Sequence, residues 1–351
     1  MTRFKRTHRH SVSILFFILA ALSYYFFVYV PEQDALPVHE EAEQAAGQAV
    51  QPVESITICS FNIQFLGQFT RRRNEDLAFL MKPYDIVVIQ ELVAPPEDGV
   101  YPDGSSYTAD DEANVFFDAM EEQGFRYVLS EEDTGTGEGI HQKGPATEWW
   151  VAFYHNQVRP APDLPSGFLA ADRSDHPDYE RVPYAFGFRT VDSALDFVLI
   201  SVHLMPGSRT ADMERRRHEL AAISAWIDDH DDIEKDFIIL GDMNIESPDE
   251  LQDVTPAGFI SLNDECRQTN TNQRAGSGKP YDHVMYRPDN TGHEIDAHFD
   301  LEVLDLIGNM KSRWDIPEPF PGEPYLHNDF RQLFSDHHPV IFRMIPSSDD
   351  D

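Results

Sequence analysis

The sequence predicts one α/β domain over residues 56–346, on three observations. Short β-rich runs alternate with helical stretches. The runs are mostly continuous in apolar character, as strands covered on both faces are. No internal repeat, second linker or low-complexity tract interrupts the alternation. In chain order, the expected strands are SITICSFNI (55–63), DIVVIQEL (85–92), WWVAFYH (149–155), DFVLISVHL (196–204), DFIILGDMNI (236–245), YDHVMY (281–286) and HHPVIFRMI (337–345). Two stretches carry helical spacing. In 112–124, Phe116, Phe117 and Met120 share a face and Gly124 suits the C′ position; in 214–230, Leu220, Ile223 and Ile227 do so. Four stretches, near 94–110, 131–147, 160–182 and 312–335, are rich in Gly, Pro, Asp and Ser and read as loops of functional length.

Composition narrows the function. The 351 residues hold 62 Asp and Glu against 27 Lys and Arg, a formal charge of −35, with 41 % hydrophobic residues. So apolar a chain folds, and the acidity belongs to its surface. A general nucleic-acid coat is excluded, since such proteins bind phosphate backbones through surplus Lys and Arg; an enzyme that holds phosphate through a metal is not. Two cysteines, Cys59 and Cys266, exclude a disulfide-rich scaffold or a four-thiolate metal site and read as free thiols.

The N-terminus has an address of its own. Arg3, Lys5, Arg6 and Arg9 precede residues 11–30, which contain no charged side chain. At about 1.5 Å per residue that run spans a bilayer's hydrocarbon core, and the basic flank keeps its own side cytoplasmic. The expectation is a membrane anchor at 1–30, an acidic linker at 31–55, the α/β domain at 56–346 outside the cytoplasm, and an acidic tail at 347–351. A cleaved signal peptide, giving a secreted form, is the alternative. Beyond the anchor, 62 acids face 23 bases, a charge of −39.

The chemistry lies where apolar runs stop. ICSF gives way to Asn62, IVVIQ to Glu91, VLISV to His203 and FIILG to Asp242 and Asn244, and a loop closes on Ser335, Asp336 and His337. Singly, each has a bland reading: a turn cap, a solvated acid, a structural imidazole. Together and in this order they are poorly explained by coincidence.

The ordered set SFNIQFLG, VVIQE, TEWWVAFYH, RVPY, SVHL, ILGDMN, YDHV and SDHHPV resembles the endonuclease/exonuclease/phosphatase superfamily, and within it the deoxyribonuclease-I-like branch. The resemblance implies a four-layer sandwich, two packed mixed β-sheets with helices on both outer faces, and phosphoester hydrolysis with a divalent metal. It makes Glu91 the main metal ligand with Asn62 beside it, and puts Asp336 in or beside a second metal region. Mg²⁺ suits such oxygen ligands, with Mn²⁺ or Ca²⁺ as substitutes, and no Cys/His cluster favours zinc. Asp242 and Asn244 match positions that orient water and hold the scissile phosphate. His203 pairs with Glu148 and His337 with Asp282, each carboxylate fixing a tautomer. Arg181, in RVPY, matches a phosphate contact. His283 and His338 have no role in the family pattern and read as structural or peripheral, Arg215 to Arg217 as an exposed helix face, and Arg71 to Arg73 as a solvated helix start or a phosphate clamp.

The family's disulfide near the segment after GDMN has no counterpart, and the inserts at 131–147 and 312–335 are expected to shape the groove beside Glu148 and Asp336. The expected function is a metal-dependent nuclease acting on nucleic acid. A phosphatase or phospholipase is the runner-up, and a silent scaffold the least supported. No protein partner can be inferred.

Overall fold

In the computed structural model, residues 52–135, 147–173 and 176–346 are described. The expected anchor, nearly all of the linker, the heart of the 131–147 insert and the tail lie outside them. Among the described residues no helix is long and apolar enough to cross a membrane.

The chain runs β1 (Ile56–Leu66), α1 (Asn74–Met81), β2 (Ile86–Leu92), β3 (Gly99–Val100), β4 (Ser106–Tyr107), α2 (Asp111–Glu122), β5 (Arg126–Leu129) and β6 (Trp149–Tyr154). It continues through β7 (Val158–Pro160), β8 (Gly167–Phe168), β9 (Tyr184–Thr190), β10 (Asp196–His203), α3 (Thr210–Asp228), β11 (Phe237–Asp242), α4 (Pro248–Val254) and β12 (Ile260–Ser261). Last come β13 (Asp282–Tyr286), α5 (Pro288–Thr291), β14 (Glu302–Val303), α6 (Leu306–Ser312), α7 (His327–Leu333) and β15 (Val340–Met344). One large sheet has the order β14-β15-β1-β2-β6-β5. The other runs β12-β13-β11-β10-β9-β7, with β8 also on β9.

Both sheets share one design. At the centre of each lies a parallel pair, β1 with β2 and β10 with β11, flanked by antiparallel strands. An antiparallel neighbour starts where a parallel strand ends. One rim therefore collects the C-terminal ends of β1, β2, β10 and β11 and the N-terminal ends of β6, β13 and β15.

Side chains sort by parity into three apolar layers. Ile56, Ile58, Ile86, Val88, Leu199, Ile238, Leu240 and Phe342 pack between the sheets. Cys59, Phe61, Val87, Ile89 and Phe153 face α1, α2, α6 and α7. Val198, Ile200, Val202 and Ile239 face α3 and α4. This explains the continuous apolar runs, since neither face of the central strands meets water. The inter-sheet layer turns polar toward the rim: after Ile58 come Ser60 and Asn62, after Val88 comes Gln90, after Leu199 come Ser201 and His203, and after Leu240 comes Asp242. Gln90 Nε2 donates to Ser201 Oγ across the sheets at 3.2 Å.

Several expectations are corrected. The stretch 94–110 contains the hairpin β3–β4, and 312–335 contains α7. Arg216 is fully buried, its guanidinium on Glu250 and on the carbonyls of Met205 and Gly207, so 215–217 is no exposed basic face. Arg72 is likewise buried, on Glu112 and the carbonyls of Ile63, Gln64 and Phe334, and Arg73 is paired with Asp76 and Asp315. Neither can clamp a phosphate. Cys59 and Cys266 are free thiols.

His283 is structural, as expected, and its burial has a measurable consequence. Its Nδ1 lies 2.9 Å from Ser261 Oγ, and desolvation pushes its pKa down to about 4. A base depressed in the folded state costs stability as pH falls below its unfolded value, so the loss runs from about pH 6.5 toward about pH 4. Denaturant titration of the wild type is expected to show about 2–3 kcal/mol more loss between about pH 7.5 and about pH 4.5 than His283→Gln shows. Equal acid slopes would refute this.

Candidate active site

Local backbone geometry aims the rim residues inward. Glu91 has the wrong parity to face the other sheet. The register of β2 against β6 shifts between Ile89 and Leu92, and Glu91 takes φ +63°. Such a bulge re-aims one side chain, and here it brings Glu91 beside Asn62. Gly241 has φ +136°, and a Cβ there would lie 2.2 Å from the Val202 carbonyl oxygen, so only glycine lets β11 run against β10 up to Asp242. Asn244 also has positive φ, 52°, and its Nδ2 donates to the Leu204 carbonyl at 3.1 Å.

The centre is Asp242. Its Oδ2 accepts from Asn62 Nδ2 at 3.0 Å and lies 3.6 Å from both His203 Nε2 and His337 Nε2. Its Oδ1 accepts the Asn244 N–H at 2.9 Å. Each imidazole is backed by a buried carboxylate: His203 Nδ1 is 2.6 Å from Glu148 Oε1, and His337 Nδ1 is 2.8 Å from Asp282 Oδ2. The expected pairs are thus brought together, with both Nε2 atoms turned to one point.

Those carboxylates are fixed in turn. Glu148 Oε2 accepts the Glu91 N–H at 3.1 Å, and the backbone of Asp282 is anchored by its N–H donating to Thr269 Oγ1 at 3.0 Å. Burial alone would depress both imidazoles. At His203 the Arg181 charge also depresses, yet Glu148 and Asp242 outweigh both, and the pKa is raised. At His337, Asp282 and Asp242 outweigh burial and hold the pKa well above its usual value.

Glu91, His203 and Asp242 each offer a ligand atom within 4.8 Å of the others, a grouping that could hold a metal ion. Burial pushes the Glu91 carboxyl up to about 7, against the pull of a charged His203, with Glu148 and Asp336 adding to the rise. Three buried carboxylates, Glu91, Glu148 and Asp242, share this volume with the Arg181 guanidinium. A bound cation would relieve that crowding of negative charge, so the residues fit the expected metal. Asn62 and Asp336 stand differently from the expected ligand set. The Asn62 oxygen accepts the Gln64 N–H at 3.0 Å while its amide nitrogen faces Glu91 Oε1 at 2.8 Å. Asp336 is half-buried and accepts from Gln64 Nε2 at 2.9 Å.

Arg181 lies against Glu148, Nε to Oε1 at 2.7 Å, a close ion pair whose N–H is not aimed along a hydrogen bond. It therefore steadies the carboxylate behind His203. Four supports hold the rim in place, of which sequence reasoning singles out Ser335 alone. Ser335 Oγ donates to the Asn62 carbonyl at 2.8 Å and accepts the His337 N–H at 3.0 Å. Gln64 reaches Asp336, and Thr269 holds the backbone of Asp282. Glu219, fully buried on α3, accepts the backbone N–H groups of Glu180 and Met205, tying together the segments that carry Arg181 and His203. Gln64 and Ser335 lie within the rim motifs, whereas Thr269 and Glu219 carry no local signal.

Comparison with known proteins addresses the fold. No protein-family model matches the chain, and no curated protein matches it. Among solved structures, a functionally unknown conserved protein from Enterococcus faecalis superposes with TM-score 0.52 at 16 % identity, over 83 % of this chain and 100 % of its own. An endonuclease/exonuclease/phosphatase family protein from Bacteroides thetaiotaomicron superposes with TM-score 0.51 at 14 % identity, over 85 % and 99 %. This chain has the endonuclease/exonuclease/phosphatase fold. A mannosyl-6-phosphatase from Bacteroides thetaiotaomicron shares that fold with TM-score 0.51 at 15 % identity, over 83 % and 100 %. At such identities the endonuclease/exonuclease/phosphatase fold is what is shared, and chemistry must be argued from this chain's own rim.

Proposed function

We propose that the protein is a divalent-metal-dependent phosphodiester hydrolase whose substrate is nucleic acid. One observation carries the reading: two carboxylate-backed imidazoles present their Nε2 atoms, each 3.6 Å away, to the same oxygen of Asp242. Acid–base chemistry on a phosphoester needs a proton acceptor for water and a donor for the leaving oxygen, and two oriented imidazoles supply both.

Glu91 and Asp242 would hold the cation, which when bound would neutralise phosphate charge and acidify water, leaving the His203 Nε2 to proton transfer. Asp242 orients the attacking water, and Asn244 holds the phosphate. Glu148 and Asp282 keep the imidazoles in one tautomer and stabilise their charged forms. Between them, His203 and His337 take the proton from water and return one to the departing oxygen. Arg181 adds fixed positive charge beside the phosphate.

The −39 carried by the chain beyond the anchor sets the salt response. That charge repels a polyanion at long range, and salt screens it, the Debye length being about 10 Å at 0.1 M. Cleavage of DNA at fixed Mg²⁺ is expected to hold steady or rise from low to moderate ionic strength. A basic nuclease loses affinity steadily instead, through counterion release. A steep monotonic loss would contradict the reading. Hydrolysis of a sugar phosphate monoester or a phospholipid with no nucleic-acid cleavage at any salt would replace it with the phosphatase or phospholipase reading. We also place the catalytic domain outside the cytoplasm, on an anchor at residues 11–30. A reporter fused after residue 55 and active in the cytoplasm would overturn that placement.

A further inference from the structure

The 312–335 insert brings basic groups to the rim of a domain that is otherwise strongly acidic. Most described Lys and Arg side chains face an acid at ion-pair distance, as Arg72, Arg189 and Arg287 do. Arg274 forms no ion pair among the described residues. Among the described residues Arg331, on α7, pairs only with Asp336, at 3.8 Å, and its buried Nε has no hydrogen-bond partner there. Asp336 Oδ2 is already taken by Gln64. A guanidinium whose one ion pair is long and whose Nε has no acceptor retains donors for a further anion.

The surroundings fix it next to the catalytic residues. Thr269 and Thr271 form a strap: the Thr269 carbonyl accepts the His338 N–H at 2.6 Å, and the Thr271 N–H donates to the Asp336 carbonyl at 2.7 Å. The Thr271 hydroxyl lies 2.8 Å from Tyr325 Oη, which lies 3.1 Å from His327 Nδ1. His327 and Arg331 are four residues apart on α7, one above the other on one face. Burial pulls the His327 imidazole below its usual range, and Arg331 and Arg274 pull the same way against Asp336. Arg331 shares a face of α7 with His327, and Arg274 follows Thr271 by three residues on the strap that meets Tyr325, so both arginines belong to segments packed beside Asp336 and His337.

We propose that Arg331 and Arg274, with His327 and Tyr325, bind a second phosphate group of the substrate, the neighbour of the phosphate that is cleaved. The proposal rests on the phosphoesterase reading above and adds a substrate preference to it. The second phosphate could be the next diester of a strand or a terminal monoester, and three substrates separate these: a dinucleoside monophosphate, the same molecule with a terminal phosphate, and a trinucleotide.

The test compares kcat/KM on the three substrates for the wild type, Arg331→Ala, Arg274→Ala and Arg331→Lys. Arg274 is exposed and Arg331 half-buried with a single long ion pair, so their variants are expected to fold. The wild type should favour at least one two-phosphate substrate over the single-phosphate one. Each alanine variant should cut that preference about tenfold, mainly through KM, as loss of a charge-assisted hydrogen bond would. The lysine variant should keep part of it. Which of the two substrates shows the effect identifies the phosphate's source. No wild-type preference, or equal losses on all substrates, would overturn the subsite. Hydrolysis of none of the three by the wild type would instead overturn the phosphoesterase reading, and the subsite with it.

Discussion

His337→Ala lowers kcat on a phosphodiester by about 10²–10⁴-fold with a smaller change in KM, and His203→Ala does the same. The magnitude is that of a positioned acid or base, and both imidazoles are held by short hydrogen bonds to buried carboxylates. Because both Nε2 atoms address the Asp242 Oδ2 locus, the two losses should not add: the double variant should be little worse than the poorer single one. Steady-state kinetics of the three variants checks this. A His337 variant with near-normal kcat would remove that residue from the chemistry. Strict additivity would mean that the imidazoles serve separate steps.

Glu91→Gln produces the second large effect, on the metal. The carboxylate is buried, not a solvated rim acid, and burial already pushes it up to about 7. Glutamine keeps the shape and can still accept the Phe65 N–H that Glu91 Oε2 accepts at 3.0 Å, while removing a buried charge. The variant is therefore expected to fold with unreduced Tm in the absence of metal. The Mg²⁺ concentration for half-maximal rate should rise by at least the ~10–100-fold that lost outer-shell partners of a metal site cost. An unchanged metal requirement would take Glu91 out of the ligand set. A collapse in Tm would show that the carboxylate's role is structural.

How much was legible before folding follows from what each signal depends on. The seven apolar runs named from sequence coincide with central strands because burial on both faces leaves a continuous apolar imprint. Glu91, His203 and Asp242 were visible as polar residues ending such runs, and the shared rim explains why they converge. Strand β9, YAFGFRT, was passed over because a glycine and an arginine interrupt its pattern. Helices α1, α4, α6 and α7 were missed because each is 8 residues or shorter and held by packing, as Phe330 of α7 is, and not by periodicity. Arg216 was misread because a triple-arginine run looks solvated, and only Glu250, 34 residues on, neutralises it. The bulge that turns Glu91 inward and the Ser335 and Glu219 contacts are long-range facts with no local signature.

The most direct test of the central claim, metal-dependent phosphoester hydrolysis at the Asp242 rim, is a chelation and restoration assay. Purified wild type is stripped with excess chelator, and phosphodiester hydrolysis is measured before and after addition of Mg²⁺ or Mn²⁺, with His337→Ala alongside. Turnover should vanish on chelation, return with either ion in the wild type, and stay about 10²–10⁴-fold lower in His337→Ala at saturating metal. Full hydrolysis by the wild type in excess chelator would contradict the account.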